Sequence, residues 1–201
     1  MAMIDLQLKY EFGEDGKRHL TIPDDVKAYV ISFIRENAAK PPDQIAAVVQ
    51  EGHDELHAAL AGLSEAQAAW KPGPEDWSIL ELMDHVASVK RIMAIICRSL
   101  SQGTLPPGID ETAESESRQD GITIAKFSTL AEAREAVDAA HNDLMAFVAT
   151  INDGMNTDKH FRHFVFGAMN CRQWAVFQRI HDADHAPGIG KIKATPGFPA
   201  V

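Results

Sequence analysis

One stretch near the end of the chain constrains it more than any other: Asn170-Cys-Arg-Gln-Trp-Ala-Val-Phe-Gln-Arg-Ile-His-Asp-Ala-Asp-His185. Asn170 is a favoured N-cap, and Trp174, Phe177, His181 and His185 recur at spacings of three and four. On a helix that spacing sets both imidazoles on the aromatic stripe, one turn apart. The stripe must face a core, so two histidines occupy places that leucines ordinarily fill. Neutral imidazole is the commonest protein ligand of divalent metals, which makes a shared ion one reading of the pair; a solvated pair is the other. The stretch also reads His-Asp-x-x-His, close to the zincin helix, in which two histidines hold zinc and a Glu between them is the base. Zincins take a third ligand downstream, whereas residues 186–201 contain no His, Asp, Glu or Cys. Any third ligand must therefore come from upstream.

Composition narrows the function classes. The 201 residues are 45% hydrophobic, enough for one globular domain with a small addition. Acidic residues outnumber basic ones 29 to 19, for a formal charge of −10, and no basic cluster occurs, so nucleic acid is not an expected partner. No run approaches the ~18 apolar residues of a membrane span. The N-terminus lacks the basic-then-apolar order of a secretory signal, and the two cysteines, Cys97 and Cys171, suit a reducing compartment. A cytoplasmic location is the expectation.

Residues 4–12 alternate Ile4, Leu6, Leu8, Tyr10 and Phe12 with polar residues, which predicts a half-buried strand. A turn at 13–16 and a returning strand at 18–22 complete a hairpin. Pro23-Asp24 then opens a helix with Val26, Tyr29, Val30, Phe33 and Ile34 on one face. An isolated hairpin is marginal in water, so this extension over residues 1–40 must pack on the main domain or on a second subunit.

Four longer helices follow. The first spans 44–63 with Ile45, Val48, Val49, Leu56, Leu60 and Leu63 inward; His53 falls on its apolar face and His57 at the edge. Ser78-Ile-Leu-Glu81 is a capping box that starts the second, which runs to about residue 100. Its buried side is marked by Ile79, Leu82, Val86, Val89, Ile92, Met93, Ile96 and Leu100, with His85 inside the stripe. Residues 101–127 form a long loop, first rich in Pro and Gly and then acidic, within which 121–127 can run extended. Thr129-Leu-Ala-Glu132 is a second capping box and starts a helix to about Ile151, with His141 near its inner face. The helix from Asn170 is the fourth. Such helices predict a mainly α four-helix bundle with interaxial distances of about 8–10 Å, close enough for histidines of facing helices to meet at one ion.

Three segments together carry a family resemblance: Trp70-x-Pro-Gly-Pro-x-x-Trp77-Ser78-Ile79-x-Glu81-x-x-x-His85, then Phe166-Gly167 followed by Gln173-Trp174, then His181-Asp-x-x-His185 and Ile189. Over residues 44–193 the chain resembles the DinB-like superfamily of metal-binding four-helix bundles, named for DNA-damage-inducible members. The resemblance implies that His85, His181 and His185 bind one divalent ion, zinc or nickel. It also implies dimers, and some relatives join low-molecular-weight thiols to electrophiles. Where the family's last helix continues, this chain has Ala186-Pro187-Gly188, and Pro187 should end or kink the helix.

Three histidines without an obligatory fourth ligand leave positions for water or a small-molecule substrate, the layout of catalytic rather than structural zinc. The expectation is a metal-dependent hydrolase. A thiol transferase using a low-molecular-weight thiol is the alternative, and a non-catalytic stress-related binding module is a third class. A homodimer is expected, because the alternating N-terminal strand needs its face and edge covered. Cys97 and Cys171 lie twelve and ten residues from His85 and His181, about 18 and 15 Å along the helix axes, so both are expected to pack rather than ligate. Asp84, Asp182 and Asp184 project off the ligand stripe, so no general base stands out. His53 is placed in the pocket as an outer-shell or substrate-facing group, and His141 in the core.

Overall fold

Three of the four long helices start where reciprocal caps dictate. In the computed structural model, which describes residues 9–12, 18–106, 114–115 and 127–200, α1 spans Asp24–Ala38, α2 Pro42–Ala59, α3 Glu65–Ala69, α4 Ile79–Ser101, α5 Leu130–Val148 and α6 Cys171–Lys193. Ser78 Oγ accepts from the Glu81 amide at 3.1 Å while Glu81 Oε2 accepts from the Ser78 amide at 2.7 Å. Thr129 with Glu132 and Asn170 with Gln173 repeat the device. These boxes satisfy amide donors that a helix start otherwise leaves unpaired.

Helices α2, α4, α5 and α6 form the four-helix bundle, α4 packing on α5 and α6 while α2 packs on α6. The apolar interior divides into two clusters. One gathers Ile45, Val49, Met93, Cys97, Leu144, Phe147, Trp174 and Phe177. The other gathers Leu56, Leu60, Ile79, Leu82, Val86, Val137, Ala186 and Ile189. On every bundle helix titratable residues fall where the two clusters meet: His53 on α2, Lys90 on α4, Asp138 and His141 on α5, His181, Asp182 and His185 on α6. A layer of titratable groups thus crosses the middle of the bundle.

Val30, Phe33, Ile34 and Ala38 of α1 join the first cluster, and α1 lies against α6. The helix of the N-terminal extension therefore finds cover on the bundle itself. Arg172 fixes the α1–α2 junction, its guanidinium donating to the carbonyls of Ala38 at 2.7 Å and Lys40 at 2.6 Å. β1 (Lys9–Phe12) and β2 (Arg18–Thr21) pair antiparallel with Tyr10 opposite Leu20. A second small sheet has the order β3 (Glu114–Ser115), β4 (Phe161–His163), β5 (Gly167–Met169), parallel then antiparallel. The Trp174 indole donates to the Phe161 carbonyl at 3.1 Å and ties this sheet to α6. The expected strand over 4–8, the turn at 13–16 and the extended run at 121–126 lie outside the described residues.

Three elements differ from expectation. Helix α2 stops at Ala59 rather than 63, because Gly62 takes a left-handed φ of 73°, and Ser64 with Gln67 then caps the short α3. Ile92, expected inside, is 46% exposed, whereas Lys90 is fully buried. The inner stripe of α4 runs 86-90-93-97, not through 92. Finally, α6 passes through Pro187 to Lys193. The proline forfeits one bond to the Ala183 carbonyl, but Ala186 and Ile189 on either side are buried in the second cluster. Tertiary packing of that face outweighs one lost backbone bond.

Helices α2 and α6 approach closely at Gly52, where an added Cβ would sit 3.1 Å from both Arg179 Cδ and Asp182 Cβ. Arg179 is itself buried and paired with Glu55 at 2.8 Å, so neither neighbour is free to swing away. Gly52→Ala is expected to lower the unfolding free energy by about 1–3 kcal/mol, the range for overpacking, despite the better helix propensity of alanine. A urea unfolding curve checks this; an unchanged or raised midpoint would contradict the close approach.

Candidate metal centre

His85 on α4 and His181 and His185 on α6 meet at the edge of the polar layer. His181 Nε2 lies 3.2 Å from His85 Nε2 and 3.2 Å from His185 Nε2. All three residues are half-buried, so the point they enclose lies near solvent. Burial pushes the His85 imidazole down to about 4. His181 and His185 are held well below the usual imidazole range, first by burial and then by the neighbouring histidines and Lys90. At neutral pH the three rings are therefore uncharged, and each neutral ring presents one N–H and one lone pair. Three Nε2 atoms facing one another cannot all be donors to one another, and His181 Nδ1 is buried without a hydrogen-bond partner among the described residues. Bonds of 2.0–2.1 Å to a tetrahedral ion separate neighbouring ligand atoms by about 3.3 Å. The observed 3.2 Å spacings suit that geometry. The donor set fits a zinc-class ion.

The surroundings orient these rings. Trp77 packs against His85 with centroids 5.1 Å apart, so the tryptophan just before the cap is a wall of the centre. Asp184 Oδ2 stands 3.8 Å from His185 Nδ1, beside the ring nitrogen opposite Nε2 but beyond hydrogen-bond range. Burial raises the Asp184 carboxyl to about 6. Asp184 thus lies off the ligand stripe, as the helical spacing predicts, near the Nδ1 of the histidine that follows it in sequence and not among the Nε2 atoms. Asp182 does turn away, pairing its Oδ2 with Lys90 Nζ at 2.6 Å and its Oδ1 with the Gln178 amide at 2.8 Å. Burial lifts its carboxyl and Lys90 opposes that rise.

His53 stands in a second group with His57 and Asp138, its ring stacked on that of His141 at 3.8 Å. Its described contacts are with these residues, not with the three converging histidines. His141 is buried, and its Nε2 pairs with Gln50 Oε1 at 3.0 Å. Cys97 and Cys171 are buried among apolar side chains, their thiols directed at backbone carbonyls of Cys171 and Asn156. Sequence reasoning passed over Lys90, Asp138 and His163. Lys90 carried a signal, since a lysine in the 86-90-93-97 stripe is an anomaly.

The chain matches the DinB superfamily over residues 49–187, more than two thirds of its length. It belongs to that superfamily. The uncharacterized protein YuaE of Bacillus subtilis (strain 168) is 22% identical over 143 residues, which is 67% of this chain and 88% of YuaE. Among solved structures, TT2238, described as a four-helix bundle protein, aligns at a TM-score of 0.50 and 21% identity over 71% of this chain and 94% of its own. That likeness concerns the fold alone. The DinB match covers α4 and the part of α6 that carry the three histidines and leaves α1 and the hairpin outside.

His163 supplies a pH handle away from the centre. Its Nδ1 accepts from the amides of Val165 and Phe166 at 3.0 and 3.3 Å, its ring lies 4.7 Å from that of Phe177, and burial pushes it to about 3. The unfolded chain binds a proton near pH 6.5 that the folded chain refuses until about 3, so stability falls as pH drops between those values. One such histidine contributes a slope of about 1.4 kcal/mol per pH unit. In metal-free protein, His163→Phe is expected to flatten the pH 6 to 4 stability profile by about that slope, read from denaturant titrations. An identical slope would contradict the assignment.

Proposed function

We propose that this DinB-superfamily protein is a divalent-metal-dependent hydrolase whose ion, zinc or nickel, is held by His85, His181 and His185. The observation that carries the reading is the mutual approach of the three Nε2 atoms, on residues that are each half-buried. An ion there supplies Lewis acidity and brings the pKa of water down to about 7. The chain's own part is to keep the three rings neutral by burial, hold two of them on one α6 face, and brace His85 with Trp77. Asp184 Oδ2, 3.8 Å from His185 Nδ1, would have to close by about 1 Å to accept from it and fix that ring's tautomer. Three protein ligands leave the remaining positions to water and a small-molecule substrate.

A metal-dependent thiol transferase is the second reading, and one observation favours it. Of the carboxylates beside the centre, Asp182 is engaged by Lys90 and Gln178, and Asp184 stands 3.8 Å from His185 Nδ1 rather than beside the Nε2 atoms, so neither is placed among the ligand atoms to deprotonate water. A low-molecular-weight thiol, more acidic than water, would lose its proton to solvent as its sulfur met the ion. Neither buried cysteine competes with it. The test is to give the zinc- or nickel-loaded protein a panel of esters and amides, and in parallel electrophiles with low-molecular-weight thiols. Metal-dependent hydrolysis is the expected result. Conjugation without hydrolysis would reverse the ranking, and silence in both would leave a metal-binding module.

A further inference from the structure

A second metal site lies in the polar layer, built from α2 and α5. His53 and His57 stand one helical turn apart on α2, and Asp138 projects from α5 toward both. Asp138 Oδ1 is 3.2 Å from His53 Nε2 and 2.7 Å from His57 Nε2. We propose that His53, His57 and Asp138 bind a second zinc-class divalent ion, independent of the three-histidine centre.

The pair on α2 reproduces the pair on α6. The rings of His53 and His57 meet edge-on at 4.5 Å and 64°, those of His181 and His185 at 4.4 Å and 74°. The same i, i+4 spacing therefore aims two Nε2 atoms at one point in each case, and a residue of a facing helix completes the set. All three ligand atoms lie within 4.8 Å of one another.

A plain ion pair accounts poorly for the group. His53 is buried, and its ring is pushed to about 3 by burial first, then by His141, Lys90 and His57, with Asp138 pulling the other way. A neutral His53 brings no charge to the carboxylate, and its Nδ1 is buried without a hydrogen-bond partner among the described residues. His141, stacked behind it with ring planes 4° apart, holds the ring flat and fixes its direction. A divalent cation takes the lone pairs of both imidazoles and the carboxylate charge together. Lys90, the nearest buried cation, is already neutralised by Asp182.

Burial grades outward, from a side-chain exposure of 10% at His53 to 33% at His57 and 45% at Asp138. The ion can thus enter from solvent and keep water in its remaining positions. Two imidazoles and one carboxylate select borderline metals such as zinc, cobalt and nickel over calcium and magnesium, which take all-oxygen shells.

Metal stoichiometry of the full-length protein tests this. After chelator treatment, zinc titration with elemental analysis is expected to give two equivalents per chain. Asp138→Asn and His57→Ala, both at half-exposed positions, should each give one equivalent, and His181→Ala should give one by loss of the other ion. His181→Ala combined with Asp138→Asn should give none. One equivalent in the wild type that Asp138→Asn and His57→Ala leave intact would overturn the second site while sparing the three-histidine centre. So would two equivalents insensitive to both substitutions. Circular dichroism of each variant confirms that the helices are retained.

Discussion

Replacing His181 with alanine is expected to abolish tight metal binding at the three-histidine centre. His181 is the residue that touches both of the others, with His85 and His185 each 3.2 Å from its Nε2. Its removal leaves two ligands on separate helices and no atom between them. The affinity should fall by more than the roughly 10–100-fold typical of losing an outer partner of a metal ligand. Asp184→Asn should lose no more than that, since it alters only a carboxylate 3.8 Å from His185 Nδ1. Isothermal titration with zinc separates the two outcomes. Equal losses in both variants would mean that His181 does not ligate.

The largest stability effect is expected at Lys90. Its ammonium and the Asp182 carboxylate are both fully buried and 2.6 Å apart, and Asp182 takes a further bond from Gln178. Lys90→Met leaves a buried carboxylate without its counter-ion, a change that costs about 3–5 kcal/mol. Burial already lifts the Asp182 carboxyl, and without the lysine it will rise further, so the variant should regain stability on mild acidification as that group becomes neutral. Removing both charges, as Lys90→Met with Asp182→Asn, should restore more than half of the loss, because no uncompensated charge then remains. Urea unfolding of the two single variants and the double variant measures this coupling. Additive losses in the double variant would show that the pair does not act as a unit.

The sequence made the helices legible where local chemistry decides them. Ser78, Thr129 and Asn170 announced three helix starts, because a capping box satisfies amide donors with residues only three apart. The same signature at Ser64-Glu-Ala-Gln67 was present and overlooked, since apolar periodicity alone had carried α2 on to residue 63. Pro187 misled in the opposite direction: its local penalty is real, but Ala186 and Ile189 are held by α4 and α2 at long range, which no local rule records. The three-histidine group was reachable because its members lie on apolar stripes and on the DinB pattern. The His53 group was only half reachable. Its histidines show an i, i+4 pair, but Asp138 looks like any outward-facing acid on α5 until the helix crossing brings it over α2. Lys90 joined the core for the same reason, having a buried partner 92 positions away in the chain.

The central claim is that His85, His181 and His185 share one divalent ion. A crystal structure of the zinc-loaded protein, with anomalous scattering recorded at the zinc edge, tests it most directly. The account predicts a peak with the Nε2 atoms of all three histidines about 2.0–2.1 Å away. A zinc-loaded crystal in which those nitrogens lie beyond about 3 Å from every anomalous peak, well outside bonding range, would contradict it.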